Sequence, residues 1–220
     1  MGLTSFAREI SDASPAWKDV PPAFRAEVLA WAARHKGKLY APIMHPQLAN
    51  IPSVWPPQRF ETVRAAVPAD ARTALDIGAH WGFFSLGLAR LGLEVTAVES
   101  DPENAGFLRR IAELSDIPVT VEERSIFDLD RVEFDLVLAL NIFHHFLRKP
   151  ETYRDLIGFL SKLRCRTMIY QAHSIDGLKM KTAFARIPPE EMCDIICMKT
   201  GLTNWEMIDI FNKRKVFRIY

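Results

Sequence analysis

Asp76, Gly78, Gly82 and Glu99 combine residue types and a spacing that indicate ligand binding. They lie in ALDIGAHWGFFSLGLARLGLEVTAVESD, residues 74–101, where one apolar run ends in an aspartate and two glycines and a second ends in a glutamate. Glycine permits a sharp turn and a close approach of the backbone to a ligand, because it has no side chain. A carboxylate at the end of the next strand, about twenty residues further on, accepts hydrogen bonds from both hydroxyls of a ribose. The pattern therefore predicts a nucleoside-binding site.

The spacing also indicates which nucleotides do not fit. A dinucleotide fingerprint needs Gly-x-Gly-x-x-Gly after the first strand, but the later glycine positions, counted from Gly78, hold His80 and Phe83. No Gly-Lys-Ser or Gly-Lys-Thr follows, so the turn is not a P-loop either. A nucleoside without phosphates fits better, and a nicotinamide-dependent dehydrogenase is the weaker alternative.

A third group of candidate residues follows the apolar run FDLVLAL. Asn141 and the pair His144 and His145 occur in NIFHHF, residues 141–146. An imidazole titrates near neutrality, so a histidine at a strand end can accept a proton from a hydroxyl or amine. We expect His144 to face the crevice and His145 to pack or to bond to backbone; the alternative is that both are structural. No nearby cysteine or carboxylate cluster has the spacing of metal ligands, so no metal is predicted.

Three segments, LDIGAHWGFFS, VTAVESD and FDLVLALNIFHHF, resemble the first, second and fourth motifs of class I S-adenosylmethionine-dependent methyltransferases. They occur in the family's order and with suitable spacing within residues 70–172. The details GFFSL and FHHF most resemble domains that modify sugars or polysaccharide ends and enzymes that modify the wobble uridine of tRNA. The resemblance implies a Rossmann-like fold, S-adenosylmethionine as the cofactor and methyl transfer as the reaction.

The resemblance also implies a role for each matching residue near the first two strands. Asp76, Gly78 and Ala79 would line the methionine part of the cofactor. Gly82 would permit the close turn, and Glu99 would hold the ribose.

Further residues are implied at the adenine and at the methyl-transfer centre. Ser100 would lie beside the adenine. Ser125 stands where the family often has an acidic residue that bonds the adenine amino group, and the backbone at Ile126 would contribute there. Asn141 would line the methyl-transfer centre, and His80 would either contact the cofactor or cover it.

Alternating strand and helix patterns must position these residues. From residue 72 onward five apolar strand segments alternate with helical ones, and two final runs, WEMIDIF and KVFRIY, flank NKR as a hairpin. Such units predict a parallel sheet with helices on both faces. The expected fold is α/β: a doubly wound, mostly parallel seven-stranded sheet with a C-terminal antiparallel hairpin, plus an N-terminal helical extension. Its ligand crevice should lie at the carboxyl ends of the first and fourth strands.

We expect the chain to divide into an N-terminal helical and loop extension, residues 1–58, and the domain that resembles methyltransferases, residues 59–220. The Pro-rich loop at 38–58 lacks periodicity, and long ordered loops are often functional, so we expect a substrate lid there. Packing that fixes the loop is the alternative. Its candidate residues are Tyr40, His45 and Trp55.

Residues 173–188 form the second segment expected to select the substrate. His173 follows the fifth strand and is a weaker candidate base than His144. The basic residues Lys179, Lys181 and Arg186 either meet an anionic substrate or form a solvated face.

Composition narrows the class of partner. The chain has 220 residues with 28 Lys and Arg against 27 Asp and Glu, so nothing implies a bulk attraction to nucleic acid or membrane. Three cysteines without a C-x-x-C pair favour the reducing cytoplasm. We expect methyl transfer to a small-molecule or carbohydrate acceptor. A tRNA-modifying methyltransferase and a non-catalytic S-adenosylmethionine-binding protein are the alternatives.

Overall fold

The protein was analysed as a computed structural model, which describes residues 17–173 and 178–220. Eight α-helices are described in this part of the chain: α1 Pro22–Arg34, α2 Arg59–Ala66, α3 Phe83–Arg90, α4 Pro102–Leu114, α5 Phe143–Phe146, α6 Pro150–Lys162, α7 Leu178–Lys181 and α8 Pro189–Thr200. Seven strands accompany them: β1 Thr73–Ile77, β2 Glu94–Val98, β3 Thr120–Glu122, β4 Glu133–Leu140, β5 Arg164–Gln171, β6 Trp205–Phe211 and β7 Arg214–Ile219. A short 3₁₀ turn spans Ile126–Asp128.

The strands form one sheet in the order β3-β2-β1-β4-β5-β7-β6. The first five strands run parallel, while β7 pairs antiparallel with both β5 and β6. Strand order reverses between β1 and β4, which is where doubly wound sheets bind ligands. The predicted fold class, including the seven strands and the terminal hairpin, is confirmed.

Both faces of the sheet are covered, because successive strand residues point to opposite sides. In β4, Leu136 and Leu138 face one core, whereas Val137 and Ala139 face the other. The first core includes apolar residues of α1, α2, α3 and α4, and the second includes those of α6 and α8. The segment at 17–58 therefore packs on the same core as the sheet.

Two elements near the carboxyl edge of the sheet are short. The third strand is limited to Thr120–Glu122, and FHHF forms the single-turn helix α5. The long loop is irregular, as predicted, but an isolated parallel bridge joins Leu39 to Ser53. This bridge ties the two halves of the loop together.

Helix α2 packs tightly on α3 at Gly87. A Cβ atom at Gly87 would lie 2.2 Å from Phe60 Cε2 and 2.8 Å from Met44 Cε. Both neighbours are buried, so neither can move away easily. This contact fixes the start of α2 against the sheet.

We predict that Gly87→Ala lowers the free energy of unfolding by about 1–3 kcal/mol, because it overpacks the core. Gly158→Ala is the matched control, since Gly158 also lies inside a helix but a Cβ there would meet nothing within 4 Å. That variant should gain about 0.5–1 kcal/mol from its higher helix propensity. Denaturant unfolding measures both, and equal changes in the two variants would contradict the packing argument.

Candidate functional site

The turn after β1 depends on two glycines. Gly78 has φ +72° and Gly82 has φ +79°, conformations that favour glycine. The backbone N–H groups of Gly78 and Ala79 both donate to the carbonyl of Val98, at 2.9 and 3.0 Å. A Cβ atom at Gly78 would lie 2.8 Å from the side chain of Ile142. The turn is thus held against the end of β2 and has no room for a side chain at Gly78.

Glu99 holds this turn from the neighbouring strand. Its buried carboxylate accepts the backbone N–H of His80 on Oε2 at 2.8 Å and that of Asp101 on Oε1 at 2.9 Å. A carboxylate has about four acceptor positions, so each oxygen retains capacity for another donor. Glu99 therefore connects the two strand ends that the sequence predicts to form the nucleoside site.

Asp76 lies buried near the end of β1. Its Oδ2 accepts a hydrogen bond from the Ser85 hydroxyl at 2.6 Å. Burial is the main cause that raises the pKa of Asp76 to about 6, and the Ser85 bond opposes it. Within the described residues Asp76 forms no salt bridge, although the charge of Arg59 also acts to lower its pKa.

A buried cation faces the same cavity. Arg59, the first residue of α2, lies 4.2 Å from the centre of the Trp55 ring and donates a hydrogen bond to Gln171. Burial is the main cause that lowers the pKa of Arg59 to about 10. No carboxylate of the described part of the chain pairs with it. The residues that line the cavity include Tyr40, Arg59, Asp76, Gly78, Phe84 and Leu140.

Asn141 continues a polar network across the carboxyl edge of the sheet. It directly follows β4 with φ +58°, and its Nδ2 donates to Gln171 Oε1 at 2.9 Å. Arg214 donates from Nη1 to Asn141 Oδ1 at 2.8 Å. Gln171 thus contacts both Arg59 and Asn141, and Asn141 also contacts Arg214. The network joins α2 and β7 through the ends of β5 and β4.

His80 and Trp81 pack against the segment at 17–58. The His80 ring lies 4.9 Å from that of Tyr40 and 5.9 Å from that of Trp31. Burial lowers the pKa of His80 to about 4, so the ring is neutral at physiological pH. Trp81 stacks on Phe107 at 4.2 Å. Both side chains belong to an aromatic cluster, and His80 also borders the cavity.

The predicted adenine residues have different surroundings. Ser100 is exposed, just beyond β2. The Ser125 hydroxyl accepts the backbone N–H of Phe127 at 3.3 Å and so caps the 3₁₀ turn, while Ile126 is buried. Their predicted roles at the adenine remain predictions.

The histidines after β4 and β5 lie together. The His144 and His145 rings are 4.1 Å apart, and the His144 ring is 5.6 Å from that of His173. His144 is half-buried, His145 is exposed and His173 is buried. His145 is expected to pack or to bond to backbone, and the expected roles of His144 and His145 stay predictions.

The loop residues serve different purposes. His45 is buried and bonds through Nε2 to the Lys18 carbonyl at 3.0 Å, which supports the packing interpretation. Trp55 instead lies beneath Arg59, and Tyr40 borders the cavity. Lys181 and Arg186 are exposed, whereas the side chain of Lys179 lies outside the described residues.

Sequence reasoning missed three residues of this site: Arg59, Gln171 and Arg214. The first opens a short helix after Pro-Pro-Gln, and the last follows the hairpin turn in NKRK. Neither position carries a local motif. Only the strand pairing could have indicated Gln171 and Arg214, because it brings the start of β7 to the carboxyl end of β5.

Comparison with known proteins finds a methyltransferase domain in this chain. Residues 74–162 match the sequence profile of a methyltransferase domain. The O-antigen chain terminator bifunctional methyltransferase/kinase WbdD of Escherichia coli is 37% identical over 76 residues, which are 32% of this chain and 11% of that protein. A ubiquinone biosynthesis O-methyltransferase of Paramagnetospirillum magneticum is 34% identical over 79 residues, 36% of this chain and 32% of that protein. The chain thus matches only a minor part of each relative.

Solved structures share the fold over a longer stretch. A structure of WbdD has a TM-score of 0.69 at 20% identity and covers 87% of this chain and 45% of that one. The N-terminal domain of EvdMO1 with S-adenosylhomocysteine bound has a TM-score of 0.61 at 16% identity, covering 94% and 97%.

The profile match identifies a methyltransferase domain at residues 74–162, and the solved structures share the fold of the chain around it. S-adenosylmethionine is the cofactor of this class of enzyme. Among the described residues, no group of three or more histidines, cysteines and acids could hold a metal ion. No helix in that part of the chain is long and apolar enough to cross a bilayer.

Proposed function

We propose that this protein transfers a methyl group from S-adenosylmethionine to a small-molecule or carbohydrate acceptor. One observation carries the proposal: Asp76 and Arg59 border the same cavity at the glycine turn, and neither has an ionic partner in the described chain. Unpaired buried charges cost several kcal/mol each. A zwitterionic amino acid would supply an ammonium for Asp76 and a carboxylate for Arg59. The methionine part of the cofactor has this chemistry.

Glu99 is proposed to hold the ribose of the same ligand. Its carboxylate is fixed by two backbone N–H groups and retains acceptor capacity for hydroxyls. Ser100, Ser125 and the backbone at Ile126 would border the adenine, as the family resemblance implies. These assignments place the nucleoside along the ends of β2 and β3.

S-adenosylmethionine, when bound, supplies an electrophilic methyl group on a sulfonium and leaves as neutral S-adenosylhomocysteine. The protein then has to align the acceptor with this methyl group and to exclude water from the site. Asn141, held by Gln171 and Arg214, borders the methyl-transfer centre. His144 accepts the proton of a hydroxyl or amine acceptor as its lone pair forms the new bond to carbon.

The proposed class of acceptor is supported by the net charge of the chain. The net charge is +1, and a large nucleic-acid footprint needs clustered Lys and Arg. The three cysteines are free in the structure, which suits the cytoplasm we propose for the protein. A labelled-methyl transfer screen over host metabolite, glycan and RNA fractions tests this class. Label found only in RNA would contradict it.

Two ligands, one with and one without the amino acid part of the cofactor, test the proposed role of Arg59. Arg59→Gln should weaken S-adenosylhomocysteine binding roughly ten- to hundredfold, because a charge-assisted bond contributes about 1.5–3 kcal/mol. The same variant should bind 5′-methylthioadenosine, which lacks the amino acid, as well as the unmodified protein does. Titration calorimetry measures both ligands.

Glu99→Ala is the matched comparison, because it should weaken both ligands, each of which carries the ribose. Circular dichroism first establishes that both variants fold. Equal losses for the two ligands in Arg59→Gln, or unchanged affinities in Glu99→Ala, would show that the assignment of these side chains is wrong.

His144→Ala should lower turnover by about 10²–10⁴ while leaving cofactor affinity nearly intact, because a general base contributes that factor. His145→Ala, at the exposed neighbour, is the control and should retain turnover. Single-turnover methyl transfer with the acceptor found in the screen measures both. Full activity in His144→Ala would remove it as the base, and a loss confined to His145→Ala would reverse the assignment.

A further inference from the structure

Buried polar atoms without partners collect at the carboxyl end of β5. His173 is 6% exposed and Gln171 is 1% exposed. Among the described residues, neither the ring nitrogens of His173 nor the Nε2 of Gln171 have a hydrogen-bond partner. Nearly all buried polar groups in proteins are hydrogen-bonded, so such exceptions need an explanation. Three orphaned atoms on two neighbouring residues indicate a ligand that reaches this point.

The terminal hairpin brings a cation to the same place. Gln171 pairs with Val216, and the Ala172 N–H donates to the Lys215 carbonyl at 3.0 Å. Continuing this antiparallel register by one residue places His173 opposite Arg214. Arg214 is half-buried, and its charge helps to lower the pKa of His173, although burial is the larger cause. The His173 ring is therefore neutral at physiological pH.

Arg214 has donors to spare. Within the described residues its side chain donates one hydrogen bond, to Asn141 at 2.8 Å, and forms no ion pair. A guanidinium carries five N–H donors in a planar fork that matches an oxyanion. The nearby Lys215 is instead paired with Glu190. Arg214 is thus the cation left without a counter-ion at the end of β5.

Arg59 and Arg214, the two guanidiniums of the site, have different surroundings. Arg59 and Arg214 lie 4.2 and 5.5 Å from the Trp55 ring centre, and the charge of Arg214 is one cause that lowers the pKa of Arg59. Arg59 borders the cavity with Asp76, where the proposed function places the methionine carboxylate. Arg214 lies beyond Asn141, on the side of His144 and His173.

We infer that Arg214, His173 and Gln171 bind an oxyanion, a carboxylate or a phosphate, carried by the methyl acceptor. This inference rests on the proposed function, since it names the class of acceptor for that site. All three side chains can offer N–H donors: the guanidinium fork, the imidazole and the amide. A donor-rich, positively charged group of this kind favours an anion over a neutral or cationic ligand.

Small anions test the subsite directly. Protein saturated with S-adenosylhomocysteine, which occupies Arg59, is titrated with inorganic phosphate and separately with acetate while the His173 imidazole signals are followed by NMR. We expect saturable shifts with at least one anion, and Arg214→Gln should weaken binding about tenfold or more. Lys213→Gln removes a charge from the adjacent exposed residue and should bind as the unmodified protein does.

The outcomes separate this inference from the proposed function. Failure of the unmodified protein to bind S-adenosylhomocysteine would overturn the proposed function. Normal S-adenosylhomocysteine binding without anion-dependent shifts at His173, or equal anion binding in folded Arg214→Gln, would overturn the oxyanion subsite alone. His173→Gln, which keeps a donor at the position, guards against a folding defect in Arg214→Gln. Because it removes the NMR reporter, its anion binding is measured by titration calorimetry and should be weakened but retained.

Fractionated host metabolites identify the source of the anion. Methyl-acceptor activity should be retained on an anion-exchange resin, and activity confined to the unretained fraction would contradict the inference. Loss of acceptor activity after phosphatase treatment indicates a phosphate, whereas loss after carbodiimide amidation indicates a carboxylate.

Discussion

The buried guanidinium of Arg59 is the constraint around which this site is built. A cation removed from water is costly unless other groups stabilise it. Here the Trp55 ring and the Gln171 side chain provide that stabilisation, and the pKa of Arg59 is lowered to about 10. Asp76 is buried close by, with its pKa raised to about 6, but the two do not form an ion pair. The cavity thus presents two opposite charges that only a ligand with both signs can satisfy together.

Holding Arg59 in place requires the N-terminal segment and the sheet to act as one unit. Trp55 comes from the long loop, Gln171 from the end of β5 and Arg59 from the start of α2. The Thr62 hydroxyl in α2 also donates to Asp209 of β6 at 2.5 Å. The loop that looked like a movable lid in the sequence therefore has fixed anchors, and His45 is one of them. Tyr40 borders the cavity, and its role in a substrate lid stays a prediction.

The sequence predicted those parts of the site whose residues lie close together along the chain. Asp76, the glycine turn and Glu99 lie within one strand–helix–strand unit, so their spacing along the chain reports their spacing in the fold. The contacts of Arg59 with Gln171 and of Asn141 with Arg214 were not predictable, because they join residues 112 and 73 positions apart. Their geometry depends on the strand order and on the hairpin register, and neither can be predicted from a short sequence motif.

The most direct test of the central claim is the ionisation of Asp76 with and without ligand. The pKa of the Asp76 carboxyl, followed by carbon NMR in protein labelled at aspartate, should be about 6 in the free protein. S-adenosylhomocysteine should lower it, because an ammonium beside the carboxylate favours the ionised form. 5′-Methylthioadenosine, which has no ammonium, should lower it far less. A pKa that stays near 6 with S-adenosylhomocysteine bound would contradict the claim that Asp76 and Arg59 together hold the amino acid part of the cofactor.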